Sequence, residues 1–190
     1  SKNRTKVILD SYKAGTGMPD RAPIATDSGW VVFADLERDE ELARRQNGDG
    51  LDSWLGAHLG RAQVPDYVAL QAFVSCEPRT LSAFQEIRRL LYERRGVATT
   101  LGWGPAFLHS TGQLHKGGPD NGIFLQITAD DSEDIEIPGA GYSFGRLVGA
   151  QSLGDLTALE ERGRRVLRVH LRDVASGAEA LLEAADRGLA

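Results

Sequence analysis

The chain has 190 residues, of which 41% are hydrophobic, and its 27 acidic and 22 basic side chains give a formal net charge of −5. This composition supports a buried core and argues against intrinsic disorder. The acidic balance argues against a general nucleic-acid binder, and the single cysteine, Cys76, excludes an internal disulfide or a cysteine-rich zinc site. No apolar run approaches the roughly 18 residues of a membrane span, so we expect no membrane partner and a cytoplasmic protein.

The pattern of apolar residues predicts strands that alternate with helices along the chain. An opening helix over residues 1–14 has no preceding cap, which is typical of a chain cut from a longer one, and residues 15–28 have a loop composition. Strands are predicted at 30–33, 67–74, 97–101, 123–127 and 166–171, the third with a noisier pattern and the last as an edge or half-exposed strand. Helices are predicted at 51–59, from Pro78 to an exit at Gly96, at 142–162 and from Ser176 onward, with 37–45 as a solvated helix or loop.

This alternation favours an α/β protein with a mostly parallel sheet and helices on both sides. The strand at 67–74 is almost entirely apolar, which is typical of a strand covered on both faces. His58 falls on the apolar face of its helix and is predicted to be a core residue, whereas His170 is predicted to face outward from its strand.

One segment, residues 102–122, contains two of the four histidines and six of the 22 glycines, and we expect it to be a long loop. Its polar side chains are of the kind that bind hydroxyls and phosphates: His109, Ser110, Thr111, Gln113, His115 and Lys116. From the pattern alone, a purely structural connection remains open, and Lys116 is as compatible with a solvated surface lysine as with a phosphate ligand. The two histidines lack a third ligand nearby, so we expect no metal.

Three stretches carry a resemblance to a known family. They are Leu108-His-Ser-Thr-Gly-Gln-Leu-His-Lys-Gly-Gly118, Asn121-Gly-Ile-Phe-Leu-Gln-Ile-Thr128 and Tyr142-Ser-Phe-Gly145. Together they resemble the C-terminal part of phosphoglucose isomerases, most closely the bacterial forms fused to a transaldolase. The similarity extends through most of residues 60–172.

The resemblance implies a sugar-isomerase (SIS) type fold, a three-layer α/β/α sandwich. It also implies reversible conversion of glucose 6-phosphate to fructose 6-phosphate without a cofactor, through ring opening and an enediol proton shuttle. The ring-opening histidine corresponds to His109 and reaches the neighbouring subunit of a homodimer. Lys2 corresponds to the lysine that closes a Phe-Asp-Gln signature, and the remaining polar residues of the first string correspond to sugar-phosphate contacts.

Two family features are not found in this sequence: the phosphate-binding Ser-Gly-Thr-Thr string and the glutamate in its Glu-Ser-x-Gly-Lys setting. We therefore expect residues 1–172 to be a C-terminal isomerase domain from a longer enzyme, inactive alone, with 173–190 as a helix or tail. Two other hypotheses remain open. In the first, the chain is a non-catalytic phosphosugar-binding module of the same fold. In the second, it is a structural or dimerisation domain.

Overall fold

The computed structural model describes residues 2–15, 17, 19, 21–130 and 133–190, with side chains in the opening helix described from residue 4 onward. The predicted loop at 15–28 therefore lies partly outside the described residues. So does the acidic run from Asp130 to Glu136, whose composition predicts a solvated loop. Seven helices and six strands follow one another in the described part of the chain. They are α1 Lys2–Lys13, β1 Ala25–Thr26, β2 Trp30–Phe33, α2 Glu40–Arg45, α3 Leu51–Leu59, β3 Tyr67–Phe73, α4 Pro78–Arg95, β4 Ala98–Trp103, α5 Thr111–Gly117, β5 Gly122–Ala129, α6 Phe144–Glu160, β6 Arg165–Leu171 and α7 Val174–Leu189, with a 3₁₀ turn at Ala106–His109.

The six strands form one sheet in the order β1-β2-β6-β5-β3-β4. The strands β6, β5, β3 and β4 are parallel, and β1 and β2 join antiparallel at one edge. Helices α3, α4 and α7 cover one face, and α1, α5 and α6 lie on the other. The predicted three-layer α/β/α sandwich with a mostly parallel sheet is confirmed. Among the described helices, none is both long enough and apolar enough to cross a bilayer.

The two faces of the sheet differ in chemistry. The face under α3, α4 and α7 is apolar and carries residues such as Leu70, Leu125 and Val169. On the opposite face, Gln71, Gln126 and Arg168 stand side by side on β3, β5 and β6, and Phe73, Thr128 and His170 form the next row toward the carboxyl ends. Polar groups between a sheet and its covering helices cost free energy unless they are paired, so this face calls for a functional or structural explanation.

This polarity explains why one prediction was wrong. The alternation along β6 favoured an edge or half-exposed strand, but β6 lies inside the sheet between β2 and β5. Its polar residues Arg168 and His170 are only half-buried because they face the α6 side, where packing leaves a cavity. The alternation along β6 therefore reflects a strand that helices cover on both faces, one face being apolar and the other polar.

The prediction of a long loop over residues 102–122 was also wrong. The prediction that residues 15–28 form a loop was wrong at Ala25–Thr26, which form β1. Within 102–122, the chain completes β4, forms the 3₁₀ turn and then forms α5. Local propensity there is weak, but Phe107 and Leu108 are buried against Phe73 and Val148, and this packing orders the segment. His58 is the core residue predicted: its Nε2 bonds the Phe124 carbonyl at 3.0 Å.

Candidate functional site

The residues of the histidine string divide into an exposed and a buried group. His109, Ser110, Thr111 and Gln113 are exposed at the 3₁₀ turn and the start of α5, just beyond the carboxyl end of β4. The imidazole of His109 has no hydrogen-bond partner within the part of the chain that the structure describes. This ring is therefore available to a ligand or to a neighbouring molecule.

The turn that carries His109 is anchored from below and from the side. Phe107 and Leu108 are buried in an apolar cluster with Phe73, whose ring lies 5.5 Å from the Phe107 ring. The side-chain amide of Gln113 donates to the Leu108 carbonyl at 2.7 Å, and the Ser110 hydroxyl donates to the Phe107 carbonyl at 3.2 Å. These contacts fix the backbone on both sides of His109, so the exposed ring projects from a defined position.

His115 lies in the interior. Its Nδ1 accepts a hydrogen bond from the Gln71 amide at 3.0 Å, and its ring lies 5.0 Å from the ring of Phe124 and 6.1 Å from that of Tyr67. Burial, with a smaller effect of the neighbouring Lys116 charge, lowers the pKa of His115 to about 4. The ring is therefore neutral near pH 7 and does not face solvent, so it is not placed to contact a ligand from outside.

Lys116 is also turned inward. Its Nζ donates to Oδ1 of Asp155 on α6, and both side chains are buried. Burial raises the pKa of Asp155, and the lysine charge opposes that effect. Since the ammonium group already has a carboxylate partner, it is not free to hold a phosphate in this arrangement. The sequence offered no signal for Asp155, which lies on a different helix.

Lys2, the other residue predicted to be catalytic, belongs to the first turn of α1, and its side chain lies outside the described residues. Helix α1 packs on α6 through a cluster of Ile8, Leu9 and Ala150. The turn bearing His109 packs instead against Phe73 and Val148. The described contacts do not bring α1 and this turn together.

A cavity of about 280 Å³ lies between α6 and the polar face of the sheet, near the carboxyl ends of β5 and β6. Carboxyl ends of strands are where open α/β sheets commonly bind ligands. The polar side chains that line it are Arg21, Thr128, Ser152, Arg168 and His170. Sequence analysis predicted none of these as site residues. Phe73 and Val148 form its wall toward the turn of His109, which does not line the cavity.

Arg168 is the central cation of the cavity. Its Nε donates to Oε1 of Gln126 at 2.7 Å and one Nη donates to the Ser152 hydroxyl at 3.2 Å. Burial, and then the positive charge of Arg21, lower the pKa of Arg168 to about 10. Arg21 itself is paired through both nitrogens with the carboxylate of Glu160.

His170 stands beside Arg168 at the cavity wall and is held by two hydrogen bonds. Its Nδ1 lies 3.0 Å from the Thr128 hydroxyl and its Nε2 lies 3.2 Å from Oδ1 of Asp130. Burial lowers the pKa of His170, Asp130 opposes this, and Arg172 and Arg168 add to the lowering. The histidine predicted to face outward from its strand therefore faces a cavity in the layer under α6.

The amino terminus of α6 reaches the cavity through Gly145, but its first amide groups already have partners. The N–H of Gly145 donates to Asp134 and the N–H of Arg146 donates to the hydroxyl of Ser143. An anion in the cavity would therefore depend on side chains rather than on these amides. Within the described ranges, no group of three or more histidine, cysteine, aspartate or glutamate residues could hold a metal ion.

Comparison with known proteins defines the class of fold and goes no further. No family model and no curated protein matches the chain. Eight chains of solved structures match it. One is the crystal structure of hypothetical protein TT0462 from Thermus thermophilus, with a TM-score of 0.61 and 18% sequence identity, covering 81% of this chain and 44% of that one. The chain thus spans less than half the length of TT0462, and at this identity the likeness shows a shared α/β fold alone.

Proposed function

We propose that this chain is the C-terminal portion of a cytoplasmic phosphoglucose isomerase, and that His109 is its ring-opening acid and base. The proposal rests on one observation: within the string that resembles this family, the imidazole is exposed and unpaired on a turn fixed by packing. Imidazole can both give and take a proton near neutral pH, which ring opening of a hexose 6-phosphate requires. The proton leaves the anomeric hydroxyl and another is delivered to the ring oxygen.

His109 does not line the cavity under α6, so we propose that the sugar it would serve is bounded by other surfaces. The family resemblance supplies one, the active site of the neighbouring subunit in a homodimer. An exposed histidine flanked by the exposed Ser110 and Thr111 suits such a contribution, since hydroxyl groups bind sugar hydroxyls. The buried placement of His115 and Lys116 removes them from direct contact with substrate in this arrangement.

The test is isomerase activity of the full-length protein and of its variants. We expect His109→Ala to lower kcat for fructose 6-phosphate formation by about a hundredfold or more, because a general acid and base is removed. Leu114→Ala is the matched control, since Leu114 is 56% exposed in the same segment and has no group that can act as an acid or base. Unchanged activity in the His109 variant would contradict the proposal.

The chain of 190 residues, assayed alone, is expected to show little or no turnover, because the glutamate setting and the Ser-Gly-Thr-Thr string of the family are not found in it. Turnover near that of an intact isomerase would show that the proton shuttle is complete within these residues. If the full-length wild-type protein bound hexose 6-phosphates without converting them, the alternative of a phosphosugar-binding module would replace the enzyme. A protein that neither bound nor converted them would be a structural domain.

A further inference from the structure

We propose that the cavity between α6 and the polar face of the sheet binds the phosphate group of a small phosphate monoester, with Arg168 as its anion-binding residue. The inference goes beyond the proposed function, because it assigns a ligand to a cavity that His109 does not line. It can hold or fail independently of isomerase activity.

Arg168 has no carboxylate hydrogen-bond partner among the described residues, unlike Arg61 and Arg165. Arg61 donates to both oxygens of Asp39 at 2.6 and 2.7 Å, and Arg165 donates to both oxygens of Asp66 at 3.1 and 2.8 Å. A charge that is largely withdrawn from water is costly without a counter-ion, whereas a paired one recovers part of that cost. Glu160 and Asp155 attract the charge of Arg168, but each carboxylate is already paired, with Arg21 and with Lys116. An anion in the open volume beside Arg168 would give the guanidinium a direct counter-ion.

The guanidinium is also held in a fixed orientation. Its Nε–H donates a hydrogen bond to Gln126 and one Nη–H donates to the Ser152 hydroxyl, and both acceptors are neutral. The other nitrogen, Nη1, has no hydrogen-bond partner in the described part of the chain. Arg168 lines the cavity and keeps N–H groups without a partner. A planar guanidinium of this kind is suited to an oxyanion, because its geometry matches two oxygens at once.

The rest of the lining favours phosphate and limits its size. Arg21 adds a second positive charge near Arg168, as the lowered Arg168 pKa reflects, although Glu160 pairs with it. The ring of His170 can gain a proton when an anion arrives. The volume of about 280 Å³ is just below the range of about 300–1,000 Å³ that is typical of small-molecule sites, so the ligand is a small monoester rather than a nucleotide or a polymer.

The test is a titration of isotope-labelled protein with inorganic phosphate, glucose 6-phosphate and glucose at constant ionic strength, followed by nuclear magnetic resonance. We expect both phosphates, and not glucose, to shift the backbone amides of Thr128, Gly149 and His170. Tighter binding of glucose 6-phosphate than of inorganic phosphate would identify the monoester, and equal binding would identify the phosphate group as the sole determinant. Both results support the site. Absence of shifts with both phosphates, or shifts confined to the turn of His109, would overturn it.

Variants separate specific binding from a general charge effect. Arg168→Gln should weaken phosphate binding by about tenfold or more, because charge-assisted hydrogen bonds are lost. Arg79→Gln, which removes an exposed charge on α4 at the other face of the sheet, should leave it unchanged. Equal losses in the two variants would overturn the proposal. Arg168→Lys keeps the charge without the planar fork and should bind at an intermediate level, so a misfolded glutamine variant does not end the test.

His170 gives a second readout that a purely structural arginine would not move. The charged and polar groups around its ring come from two segments. Thr128 lies on β5 and Asp130 directly follows that strand, while Arg168 lies on β6 and Arg172 directly follows it. Phosphate in the cavity adds negative charge beside the ring, so the pKa of His170 measured by titration should rise when phosphate is present. A His170 pKa that is the same with and without saturating phosphate would count against this site.

Discussion

Lys116 on α5 and Asp155 on α6, which are 39 positions apart in sequence, form a buried ion pair with side-chain exposures of 7% and 0%. The pair joins two helices that cover the same face of the sheet. The second oxygen of Asp155, Oδ2, has no hydrogen-bond partner among the residues that the structure describes. The carboxylate therefore depends heavily on the ammonium group of Lys116.

Removal of one partner should destabilise the fold more than removal of both. Lys116→Met leaves a buried carboxylate without its cation, and we expect a loss of about 3–5 kcal/mol in the free energy of unfolding. The double variant Lys116→Met, Asp155→Leu should recover most of that loss, because no charge is left buried. Urea denaturation of the two variants and the wild type measures both effects. A loss below about 1 kcal/mol in the single variant would place Lys116 at the surface instead.

His115 should make stability depend on pH. Its pKa is about 4 in the folded protein and near 6.5 when exposed, so the unfolded chain binds a proton that the folded chain excludes. The stability that the neutral ring contributes is present above about pH 6.5 and is lost as the pH falls toward 4. At pH 5 the expected loss is about 2 kcal/mol relative to about pH 7.5.

Urea denaturation at about pH 7.5 and about pH 5 checks this value, with His115→Gln as the comparison. Glutamine can still accept the hydrogen bond from Gln71 but does not titrate, so the variant should lose about 2 kcal/mol less between the two pH values. The pKa of His58 is also well below its ordinary value because of burial. Its contribution is common to both proteins and cancels in the comparison. An identical pH dependence in the two proteins would refute the assignment.

Sequence patterns predicted the elements whose periodicity reflects burial. Examples are the strand β3, apolar except for Gln71 and covered on both faces, and the helix α4, bounded by Pro78 and by Gly96 with a left-handed φ of 67°. The polar residues of the sheet face under α6 were not predicted as a group, because they lie on separate strands. Gln126 and Arg168 are neighbours only through strand register, and no local pattern encodes that pairing. A usable signal was present in the polar residues Gln71 and Gln126, each inside a strand that is otherwise apolar.

Gln113 is predicted to position His109 rather than to contact substrate. Its amide donates to the Leu108 carbonyl, one residue before the histidine. Gln113→Ala should reduce stability by about 1 kcal/mol and lower kcat of the full-length isomerase by about tenfold or more, because the turn loses a constraint. A double-mutant cycle distinguishes positioning from general destabilisation. In a His109→Ala background, Gln113→Ala should have no further effect on kcat, whereas additive losses would exclude coupling.

Gly56 permits the close crossing of α3 and α7. A Cβ atom at this position would lie 2.5 Å from the backbone carbonyl oxygen of Gly188, a contact that only a shift of one helix could relieve. We expect Gly56→Ala to lower the free energy of unfolding by about 1–3 kcal/mol, which is typical of overpacking in a core. Gly117→Ala is the matched control, because a Cβ there meets no atom within 4 Å. That control should be neutral or stabilising by up to about 1 kcal/mol, since alanine favours helix over glycine. Thermal and urea denaturation of both variants would settle the comparison, and equal stability of the two would mean that α7 moves away from α3 at little cost.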